Sequence, residues 1–184
     1  MLEDRLRRSR VSEYTIIRDN VFEKFLEELV KTEVRNNVVL QGGNALRFGH
    51  GSPRYSNDLD FVLRDEEIDS EEFAKICESL SRAASAIKGY LGVVRIKKIK
   101  ERLYRIKFRT ELPKGPLSAA FDLYNIGSHD YLKKNVGSGQ LMVESPNEIF
   151  ADKVLADIER LQGRGSLKTK DVFDWYYILH KSGS

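Results

Sequence analysis

Val38–Leu63, VVLQGGNALRFGHGSPRYSNDLDFVL, decides how the rest of the chain is read. It holds a short apolar strand ending on Gly42 and Gly43, a helix opening directly on that pair, and a second strand carrying Asp58 and Asp60. Alternate strand residues share a face, so the two carboxylates point the same way, with Cα atoms roughly 6 to 7 Å apart by the strand rise. Left alone they repel, unless one is protonated or a cation sits between them. A hard divalent cation with oxygen ligands meets that need. The glycines lack Cβ atoms and let backbone N–H groups approach an anion at the positive end of the helix that follows. A phosphate beside a metal points to a magnesium-bound nucleoside triphosphate. A glycine pair or a DxD alone says little; the two in this order say much more.

Composition sets the outer bounds. At 184 residues the chain suits one domain, or one domain with a small helical appendage. Its 31 basic and 28 acidic residues leave a net charge of +3, which permits a polyanionic partner without requiring one. The single cysteine, Cys77, excludes an internal disulfide or a cysteine-built zinc site and reads as a small buried hydrophobe. No apolar run approaches the ~20 residues of a membrane span and no signal peptide precedes the first helix, so the expected location is the reducing cytoplasm.

Outward from the central stretch, Ile17, Val21, Phe25 and Leu29 form a helical stripe on the N-terminal side, after an arginine-rich start with Arg5, Arg7, Arg8 and Arg10. On the C-terminal side, Asp69 caps a helix to about Lys88 with the stripe Phe73, Ile76, Leu80, Ala84 and Ile87. Two strand patterns follow, 91–99 and 102–110. In the second, Tyr104, Ile106 and Phe108 alternate with Arg105, Lys107 and Arg109, giving an apolar face and a basic one. Lys97, Lys98 and Lys100 add to the positive charge. This basic face is either solvated or a wall for a phosphate backbone. The strand 118–126 carries Asp122 between Phe121 and Leu123, where an unpaired carboxylate would be costly. Residues 127–140 read as a long surface loop with His129, Lys133 and Lys134 exposed. Ser145, Pro146 and Glu148 mark a strong helix start, and Ile149, Phe150, Val154, Leu155, Ile158 and Leu161 form its apolar side. After the basic linker 162–170, Val172, Phe173, Trp175, Tyr176 and Leu179 indicate a last amphipathic helix from about Thr169.

GGNALR followed by RYSNDLDF resembles the signature of the nucleotidyltransferase superfamily that includes DNA polymerase beta. Within it the chain is most similar to the AbiEii/AbiGii toxin family, a likeness that extends through IFADKVLADIERL and KDVFDWYYIL. The resemblance implies that Asp58, Asp60 and Asp122 are a catalytic, metal-binding triad for Mg²⁺, with Mn²⁺ as a substitute. It further implies that Gly42, Gly43, Asn44, Arg47, Ser56, Lys153 and Asp171 bind the nucleotide, Asp174 carrying less weight. Asn44 departs from the family's usual Thr or Ser: an amide can bond a phosphate but offers no hydroxyl.

The fold expected is α/β, or α+β, of nucleotidyltransferase type. A mixed sheet of about five strands is flanked by helices, with a core at 1–144 and a C-terminal helical part at 145–184 completing the active site. The expected reaction moves a nucleoside monophosphate from an NTP to an acceptor hydroxyl and releases pyrophosphate, two metal ions stabilising the charge. The family adds a role as toxin of a toxin–antitoxin pair, with the 3′ end of transfer RNA as acceptor and a separate antitoxin as partner. The alternatives are transfer to a protein or a small molecule such as an antibiotic, and a catalytically silent nucleotide-binding module.

Overall fold

In the computed structural model, residues 11–65, 68–87, 93–100, 102–113 and 115–181 are described, 93–100 and 164 by backbone alone. Arg5, Arg7, Arg8 and Arg10 lie outside the described residues. Ser12 caps α1 (Glu13–Leu29), its hydroxyl accepting from the Thr15 N–H. The chain then makes a short 3₁₀ turn and enters β1 (Val38–Gln41). A helical turn at Gly42–Asn44 runs into a π-helical turn at Ala45–Gly49. β2 (Asp58–Leu63) and α2 (Ser70–Ala86) follow, the helix capped by Asp69 accepting from the N–H groups of Glu71 and Glu72. Next come β3 (Val93–Lys100), β4 (Leu103–Leu112), β5 (Gly115–Gly127), β6 (Tyr131–Val136) and β7 (Gly139–Glu144). Two helices end the chain, α3 (Pro146–Arg164) and α4 (Thr169–Lys181). No helix among the described residues is long and apolar enough to cross a membrane.

Among the described residues the strands form one mixed sheet of seven, in the order β3-β4-β5-β2-β1-β7-β6, with parallel pairing at β2–β5 and β1–β7. Strand periodicity divides its side chains between two environments. Leu40, Leu59, Phe61, Phe121, Leu123, Ile106 and Phe108 pack under α1 and α2 in the main core. Phe121 is central there: it stacks on Phe25 with ring centroids 4.1 Å apart and meets Phe108 edge-on at 4.2 Å. The opposite face carries a small cluster of Val39, Val62 and Met142, and beyond it the polar residues of the site. Asp60 and Asp122 therefore project away from the core because their neighbours Phe61 and Phe121 are buried in it.

Two expectations change. The sheet has seven strands where about five were expected, and part of the segment read as a surface loop is β6, paired antiparallel with β7 from Tyr131↔Glu144 to Val136↔Gly139. β6 is an edge strand bearing Lys133 and Lys134, with Leu132 exposed, so the apolar alternation that marks a half-buried strand is missing. Gly137 at φ +57° opens its two-residue turn. The apolar sides of the last two helices are also less buried than their periodicity suggests. Ile149 is fully covered, but Leu155, Ile158, Leu161, Val172, Phe173, Tyr176 and Leu179 are exposed.

Candidate active site

β2 delivers Asp58 and Asp60 to one face, and the parallel register of β2 with β5 sets Asp60 directly beside Asp122. Adjacent strands lie about 4.8 Å apart, so these carboxylates are close neighbours. Burial first, and then the charges of Asp122 and Asp58, push the Asp60 carboxyl up to about 7, against the opposing pull of Lys170 and Arg105. Asp122 is 3% exposed, and Arg105, its Cα partner on β4, holds both its oxygens, with Nε at 2.6 Å from Oδ1.

Among the described residues, no group of three or more His, Cys, Asp or Glu side chains stands arranged to hold a metal ion. The donor set nonetheless suits magnesium. The three side chains are hard oxygen ligands on one sheet face, and the charges of Asp122 and Asp58 bear on the buried Asp60, a strain that a cation would relieve. Magnesium keeps several waters and takes only one or two carboxylates beside substrate phosphates, so a complete protein cage is not required.

The glycine turn approaches this site from β1. Gly42 has φ +69°, a left-handed conformation that disfavours any side chain, and its N–H donates to Oε2 of Glu144 at 3.1 Å. Glu144 is 1% exposed; burial, reinforced by Asp152 and Glu148, pushes its carboxyl up to about 8 despite the Gly42 bond. Gly43 is needed for a different reason: a Cβ there would lie 2.5 Å from Arg54 Nη2 and 3.0 Å from Ser56 Oγ. Arg54 is itself fixed, Nε and Nη2 each donating to Asp174 at 2.6 Å.

The C-terminal helices supply the remaining charge. Lys153 on α3 is held between Asp171 at 2.8 Å and Asp174 at 2.7 Å, its side chain only 13% exposed. Arg160 also reaches Asp171, at 3.2 Å. Burial alone would raise the Asp171 carboxyl, but Lys153 and Arg160 outweigh it and hold it below its ordinary value. Two further hydrogen bonds fasten these helices to the core: Gln41 Nε2 donates to Asp152 at 2.9 Å, and Tyr177 Oη to the His50 carbonyl at 2.6 Å.

Gly42, Gly43, Ser56, Asp58, Asp60, Lys153 and Asp171 thus line one cleft of about 220 Å³ together with Arg54. Asp58 and Asp60 also line a second cleft of about 740 Å³, whose walls include Asp122, Arg105, Lys107, Arg109, Lys168 and Lys170. Two residues expected at the nucleotide lie elsewhere. Arg47 turns toward α1, where its Nη2 donates to Asp19 at 2.6 Å, and it lies over the Tyr55 ring at 3.9 Å. Asn44 is 1% exposed and ties the helical turn to β2 by donating from Nδ2 to the Asp58 carbonyl at 2.7 Å. Arg54 is the cleft residue that sequence reasoning does not single out. Its only signal is a cation in the loop just before the carboxylate strand. Arg105, read as part of a basic face, is committed to Asp122.

Comparison with known proteins gives a family and a fold. The family described as nucleotidyl transferase AbiEii toxin of a type IV toxin–antitoxin system matches residues 24–184. No curated protein matches the chain. Among solved structures, a protein of Helicobacter pylori described as a nucleotidyltransferase superposes with a TM-score of 0.63 at 23% identity, over 93% of this chain and 71% of that one. JHP933, also from Helicobacter pylori, gives 0.62 at 18% identity, over 93% and 68%. MenT4, a nucleotidyltransferase toxin of Mycobacterium tuberculosis, gives 0.56 at 19% identity, over 84% and 57%. At these identities the likeness is one of fold.

Proposed function

The chain belongs to the AbiEii nucleotidyl transferase toxin family and is a nucleotidyltransferase; from that premise we propose that it moves a nucleoside monophosphate from an NTP to the hydroxyl at an RNA 3′ end, with transfer RNA as the acceptor. The observation that carries this reading is the meeting of two clefts at Asp58 and Asp60. One is small and holds Lys153 and Arg54, as a triphosphate needs. The other is larger and basic, as a polynucleotide needs.

In this reading Gly43, Ser56, Arg54 and Lys153 hold the triphosphate, while Asp171 and Asp174 hold the two cations in place. Asp58, Asp60 and Asp122 hold Mg²⁺, which neutralises charge on the attacking and leaving oxygens when bound. Asp122, at the side of the basic cleft, helps take the proton of the acceptor hydroxyl. Residues 1–144 form the transferase core and 145–184 the helical part that completes the nucleotide cleft, an assignment supported by the Arg54–Asp174 and Gln41–Asp152 contacts. A cognate antitoxin restrains the activity in the cytoplasm. Incubation with each labelled NTP, Mg²⁺ and total cellular RNA tests the acceptor: label at RNA 3′ ends is expected, and label confined to protein or small molecules contradicts the RNA assignment.

A further inference from the structure

Both oxygens of Asp122 accept from Arg105, whose side chain is 30% exposed and reaches in from the basic cleft. The two residues are Cα partners across β4 and β5, so strand register, not a mobile loop, sets the pair. A guanidinium fork and a divalent cation ask for the same carboxylate oxygens. They also repel each other, so occupation by one weakens the other.

We propose that Arg105 is the site's own counter-ion: it holds Asp122 until a divalent cation takes the carboxylate over, and the released guanidinium then joins Lys107 and Arg109 in the basic cleft to meet an acceptor phosphate. The proposal rests on the metal-dependent reading above. Arg105 is thereby a positioning residue, acting on the metal through Asp122, and it links metal loading to acceptor binding. The cost of leaving the buried Asp122 unpaired is avoided at every stage, because one cation replaces another.

The test is Mn²⁺ binding to the full chain without nucleotide, followed by the electron paramagnetic resonance of free Mn²⁺. Arg105→Gln removes the competing charge and is expected to tighten binding on the order of tenfold, the low end of what a neighbouring opposite charge does to a carboxylate's proton affinity. Arg105→Lys, which keeps the charge but loses the bidentate fork, is expected to tighten it less. In an Asp122→Asn background the Arg105→Gln change should have a clearly smaller effect, what is left being the direct pull of Arg105 on Asp60. Melting curves verify that each variant is folded. Unchanged or weaker Mn²⁺ binding in both Arg105 variants overturns the proposal and makes the pair a strut that shapes Asp122 for the metal; absence of Mn²⁺ binding in all the proteins overturns it too. A protein that behaves as expected here yet transfers no nucleotide contradicts the transferase reading and leaves the exchange at Arg105 standing.

Discussion

Asp60 concentrates the tension of the site in one side chain. Its carboxyl is raised to about 7, so the folded state binds its proton more tightly than the unfolded chain does. The sign follows: without metal, Asp60 costs nothing at low pH, costs more as pH rises from about 4, and reaches its full cost above about 7. Asp60→Asn should therefore stabilise the metal-free protein at pH 8 by up to a few kcal/mol and leave it unchanged near pH 3, measured by denaturant unfolding across pH. A stability difference that shrinks as pH rises would contradict the account of its environment. Lys153 gives the converse case. Lys153→Ala should weaken NTP binding by about 1.5 to 3 kcal/mol, the range for a hydrogen bond to a charged group. It should also lower the melting temperature, because Asp171 and Asp174 lose a cation they share. An unchanged NTP dissociation constant in the folded variant would assign Lys153 to holding the two helices alone.

At the level of elements, the glycine turn and α4 act as one device, since Arg54 lies against Gly43 and is gripped by Asp174. Gly43→Ala should push Arg54 off Asp174 and reduce NTP affinity about tenfold or more while the sheet stays intact, as isothermal titration and circular dichroism would show together. Wild-type affinity in that variant would remove Arg54 from the nucleotide site. Much of this was legible in the sequence because the features are local. The DLDF alternation sets two carboxylates opposite Leu59 and Phe61, and Ser145–Pro146–Glu148 starts a helix where the structure has one, with Glu148 N–H donating to Ser145. What was not legible depends on partners distant in sequence. Arg47 and Arg54 are equivalent until Asp19 and Asp174, 28 and 120 residues away from them, claim one each. For Asn44, nothing local in the sequence shows that its amide donates to the Asp58 carbonyl. β6 escaped notice for the related reason that an edge strand owes its pairing to β7 and not to its own pattern.

Across the whole molecule, the net charge of +3 conceals a local concentration of positive charge. Lys107 and Arg109 border the larger cleft and not the nucleotide cleft, while Lys168 and Lys170 line both. With Arg105 released, about five phosphates can be met, so the logarithm of single-stranded RNA affinity should fall with log salt at a slope near −3.5, roughly −0.7 per phosphate. Lys107→Glu with Arg109→Glu should flatten that slope by at least about 1.4 and leave NTP binding unchanged. Salt-independent RNA binding would remove the basic cleft from the account. If nucleotidyl transfer takes place at the paired carboxylates of β2 and β5, label from an α-labelled NTP should pass to RNA with the wild type in Mg²⁺ alone, and not with folded Asp60→Asn or in chelator. Undiminished transfer by Asp60→Asn or in chelator would place the chemistry elsewhere.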